Sequence, residues 1–348
     1  MSLLTIKNLS VSYGDQVVIK DLDLSIANGE IVALFGPSGS GKSTILKAVT
    51  GLLKQVNGDV LLSGRVLNAD DVNLPTEQRN IGLIFQDYAL FPHLTVLENI
   101  EFGIKRWELA KREAKVAELL SLIKMTEYKH SYPHQLSGGQ QQRVAIARAL
   151  ATEPELLLFD EAFSNLDPQF RFELIEEIRV ILKSSNIAAL FVTHNQNEAF
   201  VFCDRIAVLQ SGEIAQIDTP GELFNYPANE FVTEFLGPGV WLPAVIENPN
   251  QLSSEWGLLP YAGKTDLSSK IGEHVKVYLR PHQIGLQNNN STTSTTPTFM
   301  IDSERFVGEF FESTLNWHHQ SIKVRTHDSF YNQKVRVRIK QAITQVYF

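Results

Sequence analysis

Residues 36–44 read GPSGSGKST, and the fold turns on what stands to either side of them. The stretch fits the spacing G-x-x-x-x-G-K-[ST]. Ahead of it, IVALF (31–35) is a short apolar run of the kind that forms a buried strand. Behind it, Ile45, Leu46 and Val49 recur at helical spacing, which predicts a helix over 43–53. A glycine-rich turn between strand and helix aims backbone N–H groups at one centre, where the positive end of the helix dipole adds to them. Lys42 is placed to reach the β- and γ-phosphates of a nucleotide, and the Ser43 hydroxyl to ligate Mg²⁺. The bland alternative is a turn that matches by chance. With both flanks correct, nucleotide binding is the better hypothesis.

The chain has 348 residues, enough for about two domains. Hydrophobic residues make up 43% and charged ones 20%, an ordinary globular balance. A formal charge of −8 argues against a broad nucleic-acid-binding surface. Cys203 is the sole cysteine, so no internal disulfide can form and a reducing cytosol fits. It lies in the apolar stretch AFVFC, where a small buried hydrophobe is expected rather than a reactive thiol. No apolar run approaches the roughly 18 residues of a membrane span, and MSLLTIKNLS lacks the apolar centre of a signal peptide. The expectation is a soluble protein that is not exported and meets a membrane only through partners.

Residues 3–26 read as strands, with VVIKDLDLSI (17–26) alternating like a half-buried antiparallel strand. Tyr13 sits in the turn between the first two, either idle or placed to stack on a base. DVLLSG (59–64) and IGLIFQ (81–86) are further strands, and Gln86 ends the second where a side-chain amide could ligate Mg²⁺ or hold a water. Thr95 and Glu98 form a capping box ahead of a helix over 96–104, and an amphipathic helix follows over 108–124. The helical segment, about 90–150, reads as an insertion within the α/β domain. LSGGQQQR (136–143) makes Ser137 the N-cap of a helix over 140–151 and offers a second loop-to-helix anion site. ELLLFDEAF (155–163) is an apolar strand that ends in two acids, at the carboxyl end where α/β folds bind ligands. Asp160 suits the Mg²⁺ shell, and Glu161 suits a base that orients and deprotonates water. LFVTH (190–194) brings His194 to the same strand-end level, towards a γ-phosphate.

From about residue 237 the composition shifts. Short alternating segments such as VKVYL, IKVRT and KVRVRIK predict a small all-β domain resembling an OB fold or barrel. Lys334, Arg336, Arg338 and Lys340 alternate onto one face, expected to be a solvated strand face. Asn290-Ser291-Thr292 matches a glycosylation sequon that is inert without secretion. His318-His319 is not a metal site, because adjacent strand residues face opposite ways.

The phosphate loop, strand-end Gln86, LSGGQ, LLLFDE and His194, in this order, resemble the ATPase subunit of ATP-binding-cassette (ABC) transporters over roughly residues 3–236. The resemblance implies that Tyr13 stacks on adenine and that Gly36, Pro37, Ser38, Gly39, Ser40, Gly41, Lys42, Ser43 and Thr44 form the Walker A loop. It makes Gln86 the Q-loop glutamine, Ser137, Gly138, Gly139 and Gln140 the signature, and Asp160 and Glu161 Walker B and its base. Asp167 falls in the D-loop and His194 is the switch histidine. Mg²⁺ would be held by Ser43, Gln86 and Asp160. Two departures stand out: Ala162 replaces a proline and Asn165 an alanine of the usual LLDEPFSALD. Neither removes a charged group, though the turn after Glu161 loses a rigidifying proline. Within the family, YALFPHLTVLENI (88–100) and the β-domain from about 240 resemble a bacterial importer with a regulatory C-terminal domain, and NLPTEQR, YPHQLSGGQQQR, FLGPGVWLPA and LRPHQ are most similar to its ferric-iron branch.

The resemblance implies a division into a nucleotide-binding domain over 1–236 and a regulatory domain over 237–348. It implies a dimer of two copies that sandwiches ATP, each site pairing one copy's Walker motifs with the other's signature. Partners would be two integral-membrane permease subunits and, indirectly, a periplasmic substrate-binding protein. The chain would lie on the cytoplasmic face of the inner membrane, with no nucleic acid bound. Sugar, polyamine and sulfate importers share the layout. A soluble ABC ATPase of DNA repair would need a long coiled-coil insertion between Lys42 and Ser137, and one of translation a second cassette; neither is present. A non-hydrolysing sensor is disfavoured by the intact Asp160-Glu161 pair.

Overall fold

The computed structural model describes residues 2–53, 56–288 and 297–348, so the sequon at 290–292 lies outside the described residues. The chain forms two compact units, Met1–Pro220 and Gly221–Phe348.

The first unit opens with a long hairpin, β1 (Ser2–Tyr13) and β2 (Gln16–Ala27). Next come β3 (Ile31–Phe35), helix α1 (Lys42–Thr50) and the short strands β4 (Asn57–Leu62), β5 (Arg65–Ala69) and β6 (Val72–Asn73). β7 (Ile81–Ile84) leads to the helices α2 (Val96–Glu101), α3 (Leu109–Leu122) and α4 (Gly138–Ala151). The unit closes with β8 (Leu156–Asp160), α5 (Pro168–Ser184), β9 (Ala188–Thr193), α6 (Gln196–Phe202), β10 (Arg205–Gln210) and β11 (Glu213–Asp218).

Two sheets result. An antiparallel sheet runs β2-β1-β4-β5-β6, and a six-stranded sheet runs β11-β10-β3-β9-β8-β7. In the second, β3, β7, β8, β9 and β10 pair in parallel and only β11 is antiparallel. All five residues of β3 and all six of β9 are buried, as strands covered on both faces must be. That is why IVALF and AALFVT read as unbroken apolar runs. Register puts Phe35 opposite Thr193 and Asp160 opposite Val192, so three strands end at one level. One apolar cluster spans both sheets and α1.

Several bounds differ from expectation for local reasons. α1 stops at Thr50 because Gly51 takes φ 78°, a left-handed cap. The apolar run after residue 80 stops being strand at Ile84, so Gln86 lies in an exposed loop. The helix expected over 96–104 is α up to Glu101 and a 3-10 turn over Phe102–Ile104. The Thr95–Glu98 capping box is formed on both arms.

Among the described residues, the second unit holds α7 (Pro220–Asn225), α8 (Glu230–Phe235) and ten strands from β12 to β21 in antiparallel pairings. The strands are β12 (Val240–Asn248), β13 (Gln251–Ser254), β14 (Gly257–Pro260), β15 (His274–Leu279), β16 (Ile284–Asn288), β17 (Thr298–Met300), β18 (Glu304–Phe306), β19 (Phe311–Trp317), β20 (Gln320–Thr326) and β21 (Lys334–Ile339). They form three small sheets, β14-β13-β12-β15, β16-β21-β17 and β18-β19-β20, about one apolar core. The all-β expectation holds. The basic stripe on β21 is only partly solvated: β21 is the central strand of its sheet, and Arg336 is buried there between Gln287 and Thr298. Among the described residues, no helix is long and apolar enough to cross a membrane.

Candidate functional site

The phosphate-type loop leaves the buried end of β3 and enters α1 at its N-terminus. Its glycines are there for space. A Cβ at Gly36 would lie 2.7 Å from both the Leu209 carbonyl oxygen and Ser40 Oγ. At Gly41, φ is 103° and a Cβ would meet Ile19 Cδ1 at 2.2 Å. Ser40 Oγ is buried with no hydrogen-bond partner, an orphan pointing within the loop. Lys42 is buried, and its Nζ donates to the carbonyl oxygens of Gly36 at 2.8 Å and Pro37 at 2.9 Å. Burial pushes its ammonium down, and the nearby Glu161 and Asp160 carboxylates oppose that. The loop thus carries a desolvated cation whose hydrogen bonds go to neutral carbonyls, a cation suited to a phosphate anion.

Asp160 ends β8, with Glu161 next to it. Burial and the Glu161 charge hold the Asp160 carboxyl above the usual carboxylate range, against the pull of Lys47 and Lys42. Two acids this close favour a cation between them and a ligand. Glu161 adopts φ 48°, the left-handed region a non-glycine residue avoids. The turn that imposes it is tightly held: Glu161 N donates to Val192 O at 3.0 Å, and Ser164 N and Oγ both donate to Glu161 O. Beneath it, Phe159, Phe163, Phe191 and Phe202 pack ring to ring, every pair with centroids within 6.4 Å. The anchoring that a proline would have supplied at position 162 comes from these bonds and rings.

His194, just past β9, places Nδ1 3.3 Å from Glu161 Oε1. Gln86 is exposed in the loop after β7, and Tyr13 is 50% exposed at the β1–β2 turn, its ring free to be covered. The signature stands apart. Ser137 caps α4 through a reciprocal box with Gln140, and Ser137, Gly138, Gly139 and Gln140 line a cleft with Arg143, Asn165, Leu166, Asp167 and Phe170. No residue of 36–44 lines that cleft. Asp167 caps α5, accepting from Gln169 N at 3.0 Å. The sequence-identified residues therefore fall into two groups, strand-end residues around Lys42 and Glu161, and Ser137–Gln140 with Asp167 along a cleft that residues 36–44 do not line.

Two further buried charged residues brace these elements. Arg79, 1% exposed, donates to Ala48 O, Val49 O, Leu74 O and Asn73 Oδ1, fastening the C-terminal end of α1. Glu198, 2% exposed, accepts from Thr193 Oγ1 and Asn195 Nδ2, on either side of His194, and pairs with Arg171. An acidic residue in the first turn of α6 looks solvated in sequence; burial beside Arg171 is a tertiary fact.

The ABC transporter family profile matches residues 19–164. The Fe(3+) ions import ATP-binding protein FbpC 2 of Haemophilus influenzae is 38% identical over 304 residues, 87% of this chain and 83% of that protein. The sulfate/thiosulfate import ATP-binding protein CysA of Photorhabdus laumondii is 39% identical, covering 92% of this chain and 88% of that one. The spermidine/putrescine import ATP-binding protein PotA of Haemophilus influenzae is 36% identical, covering 94% and 89%. Among solved structures, the ADP- and Pi-bound dimer of the ATP-binding cassette MJ0796 superposes with a TM-score of 0.54 at 33% identity, covering 62% of this chain and 98% of that one. With the fold, the loop and relatives matched nearly end to end, the chain belongs to the ATP-binding proteins of ABC importers, ATPases whose turnover is coupled to transport.

Proposed function

We propose that this subunit hydrolyses ATP in a closed pair of copies, and that the cargo it powers is ferric iron. The observation that carries the first part is the separation of the two groups: the cleft lined by Ser137–Gln140 contains none of the loop that holds Lys42. A cassette whose signature cleft holds none of its own phosphate loop is half of a site, completed by a second chain. Gly36, Pro37, Ser38, Gly39, Ser40, Gly41, Lys42, Ser43 and Thr44 hold the phosphates, and Tyr13 stacks on adenine. Glu161 takes the proton of the attacking water, with His194 holding its carboxylate and the γ-phosphate. Ser137, Gly138, Gly139 and Gln140 close on the partner's ATP, and Asp167 meets the partner across the same face.

Ser43, Gln86 and Asp160 would hold Mg²⁺. They are hydroxyl, amide and carboxylate oxygens, the donors that ion prefers, and the disfavoured Asp160 charge fits a cation beside it. The ion would neutralise phosphate charge when bound. Residues 237–348 act as the regulatory domain. Two integral-membrane permease subunits receive the movement, on the cytoplasmic face of the inner membrane, and a periplasmic binding protein delivers cargo to them.

Iron is favoured by NLPTEQR, FLGPGVWLPA and LRPHQ, which resemble the ferric-iron branch, and by the FbpC relatives. Sulfate is the second choice, because a sulfate/thiosulfate protein is 39% identical over more of the chain. Deleting the gene and following uptake of labelled ferric iron, sulfate and spermidine decides. Loss of iron uptake alone is expected; loss of sulfate or spermidine uptake with normal iron replaces the cargo.

A further inference from the structure

Asn165 stands in the segment between Glu161 and α5. Its Nδ2 donates to the main-chain oxygen of Gln86 at 2.9 Å, across 79 residues of sequence. The loop it grips is unusual. Tyr88 and Ala89 are consecutive non-glycine residues at φ 63° and 46°, a backbone that persists only when its surroundings hold it. Arg148 of α4 supplies the other hold, donating to Ala89 O at 2.6 Å and Tyr88 O at 3.1 Å. The Gln86 loop is thus pinned by α4 on one side and by Asn165 on the other.

The Asn165 side leads to the reacting groups. Arg171 Nη2 donates to Leu166 O at 2.8 Å and Ser164 O at 3.3 Å, on both sides of Asn165. Its Nη1 meets Glu198 Oε1 at 3.2 Å, and Glu198 holds Thr193 and Asn195, which flank His194. Ser164 in turn bonds back to Glu161 O. Hydrogen bonds, joined by short main-chain steps at Ser164–Leu166 and Thr193–Asn195, therefore link Gln86 through Asn165 to the segments that carry Glu161 and His194.

We propose that Asn165 is a positioning residue for hydrolysis, which ties the Gln86 loop to the segment after Glu161 so that the two move as one. When the loop is in place, Asn165 holds Glu161 and Asp167 in their working positions; when the loop is displaced, it draws that segment away. A neutral amide-to-carbonyl bond of this kind biases the arrangement without locking it. The proposal rests on Glu161 as the base and on Gln86 as a site residue.

The test compares full-length Asn165→Ala, Asn165→Asp and Asn165→Gln with the parent, following steady-state ATPase rates and binding of a fluorescent ATP analogue. Asn165→Ala and Asn165→Asp, which lack the donor, should lower kcat roughly three- to tenfold, the worth of one such bond. KM and analogue affinity should stay within about twofold. Asn165→Gln, which keeps an amide donor, should recover at least half of the lost rate. Overturning results are a kcat for Asn165→Ala within about twofold of the parent, a loss of affinity equal to the loss of rate, or no recovery in Asn165→Gln. Glu161→Gln run alongside separates the two claims: normal turnover there removes the base assignment whatever Asn165 does.

Discussion

Nδ1 of His194 lies 3.3 Å from Oε1 of Glu161, joining the ends of two adjacent parallel strands. A carboxylate so held is aimed, and its backbone at φ 48° is fixed by Val192 and Ser164. Glu161→Gln should therefore keep ATP affinity and lower kcat by about a hundredfold or more, the usual weight of a general base. His194→Ala should lower kcat by about tenfold or more, since it removes the aim and not the base. Nucleotide titration beside a phosphate-release assay reads both.

Lys42 rests on the Gly36 and Pro37 carbonyls, its ammonium disfavoured by burial. Exchanging neutral acceptors for phosphate oxygens is a gain the alanine variant forgoes. Lys42→Ala should weaken ATP binding by about 10- to 100-fold, the worth of a charge-assisted hydrogen bond. Calorimetric titration with ATP measures it; unchanged affinity would remove Lys42 from the cradle.

Arg79→Met would remove the hydrogen bonds that Arg79 gives to the Ala48, Val49 and Leu74 oxygens and to Asn73 Oδ1. A loss of about 2–4 kcal/mol of stability is expected, because four hydrogen bonds from one buried guanidinium are lost at once. Urea unfolding followed by circular dichroism gives the value.

Acid should weaken the contact around Asp204. Burial pushes its carboxyl up, but hydrogen bonds from Lys183, the Ile31 N–H and Arg179 outweigh that and hold it below the usual range. A depressed carboxylate contributes stability that is present above its unfolded value, near about 3.9, and is lost as pH falls through its folded value. Thermal melts from neutral pH down to about pH 3 should show Asp204→Asn less stable at the neutral end by about 1–2 kcal/mol and the gap closing towards the acid end.

Much of this was legible in the chain. IVALF before GPSGSGKST and LLLF before Asp160-Glu161 announced parallel strands by their apolar runs, because strands buried on both faces admit little else. Ser137 and Thr95 announced helix starts by their side-chain oxygens. What stayed hidden depends on contacts far apart in sequence. Glu198 reads as a solvated acid until Arg171 is packed against it, and Asn165 as a loop residue until Gln86 arrives. Arg336 alternates with exposed cations, yet β21 is central in its sheet and covers it. Pairing order, which periodicity does not encode, decided that residue's burial.

The central claim is that each ATP is held between two chains. Sedimentation velocity of full-length Glu161→Gln, with and without Mg-ATP, tests it, with Glu161→Gln/Ser137→Arg as the second arm. The composite site predicts a monomer that becomes a dimer on adding ATP, and a double variant that binds ATP equally well yet stays monomeric. A dimer that forms regardless of the Ser137 substitution, or no ATP-dependent dimer at all, would contradict it.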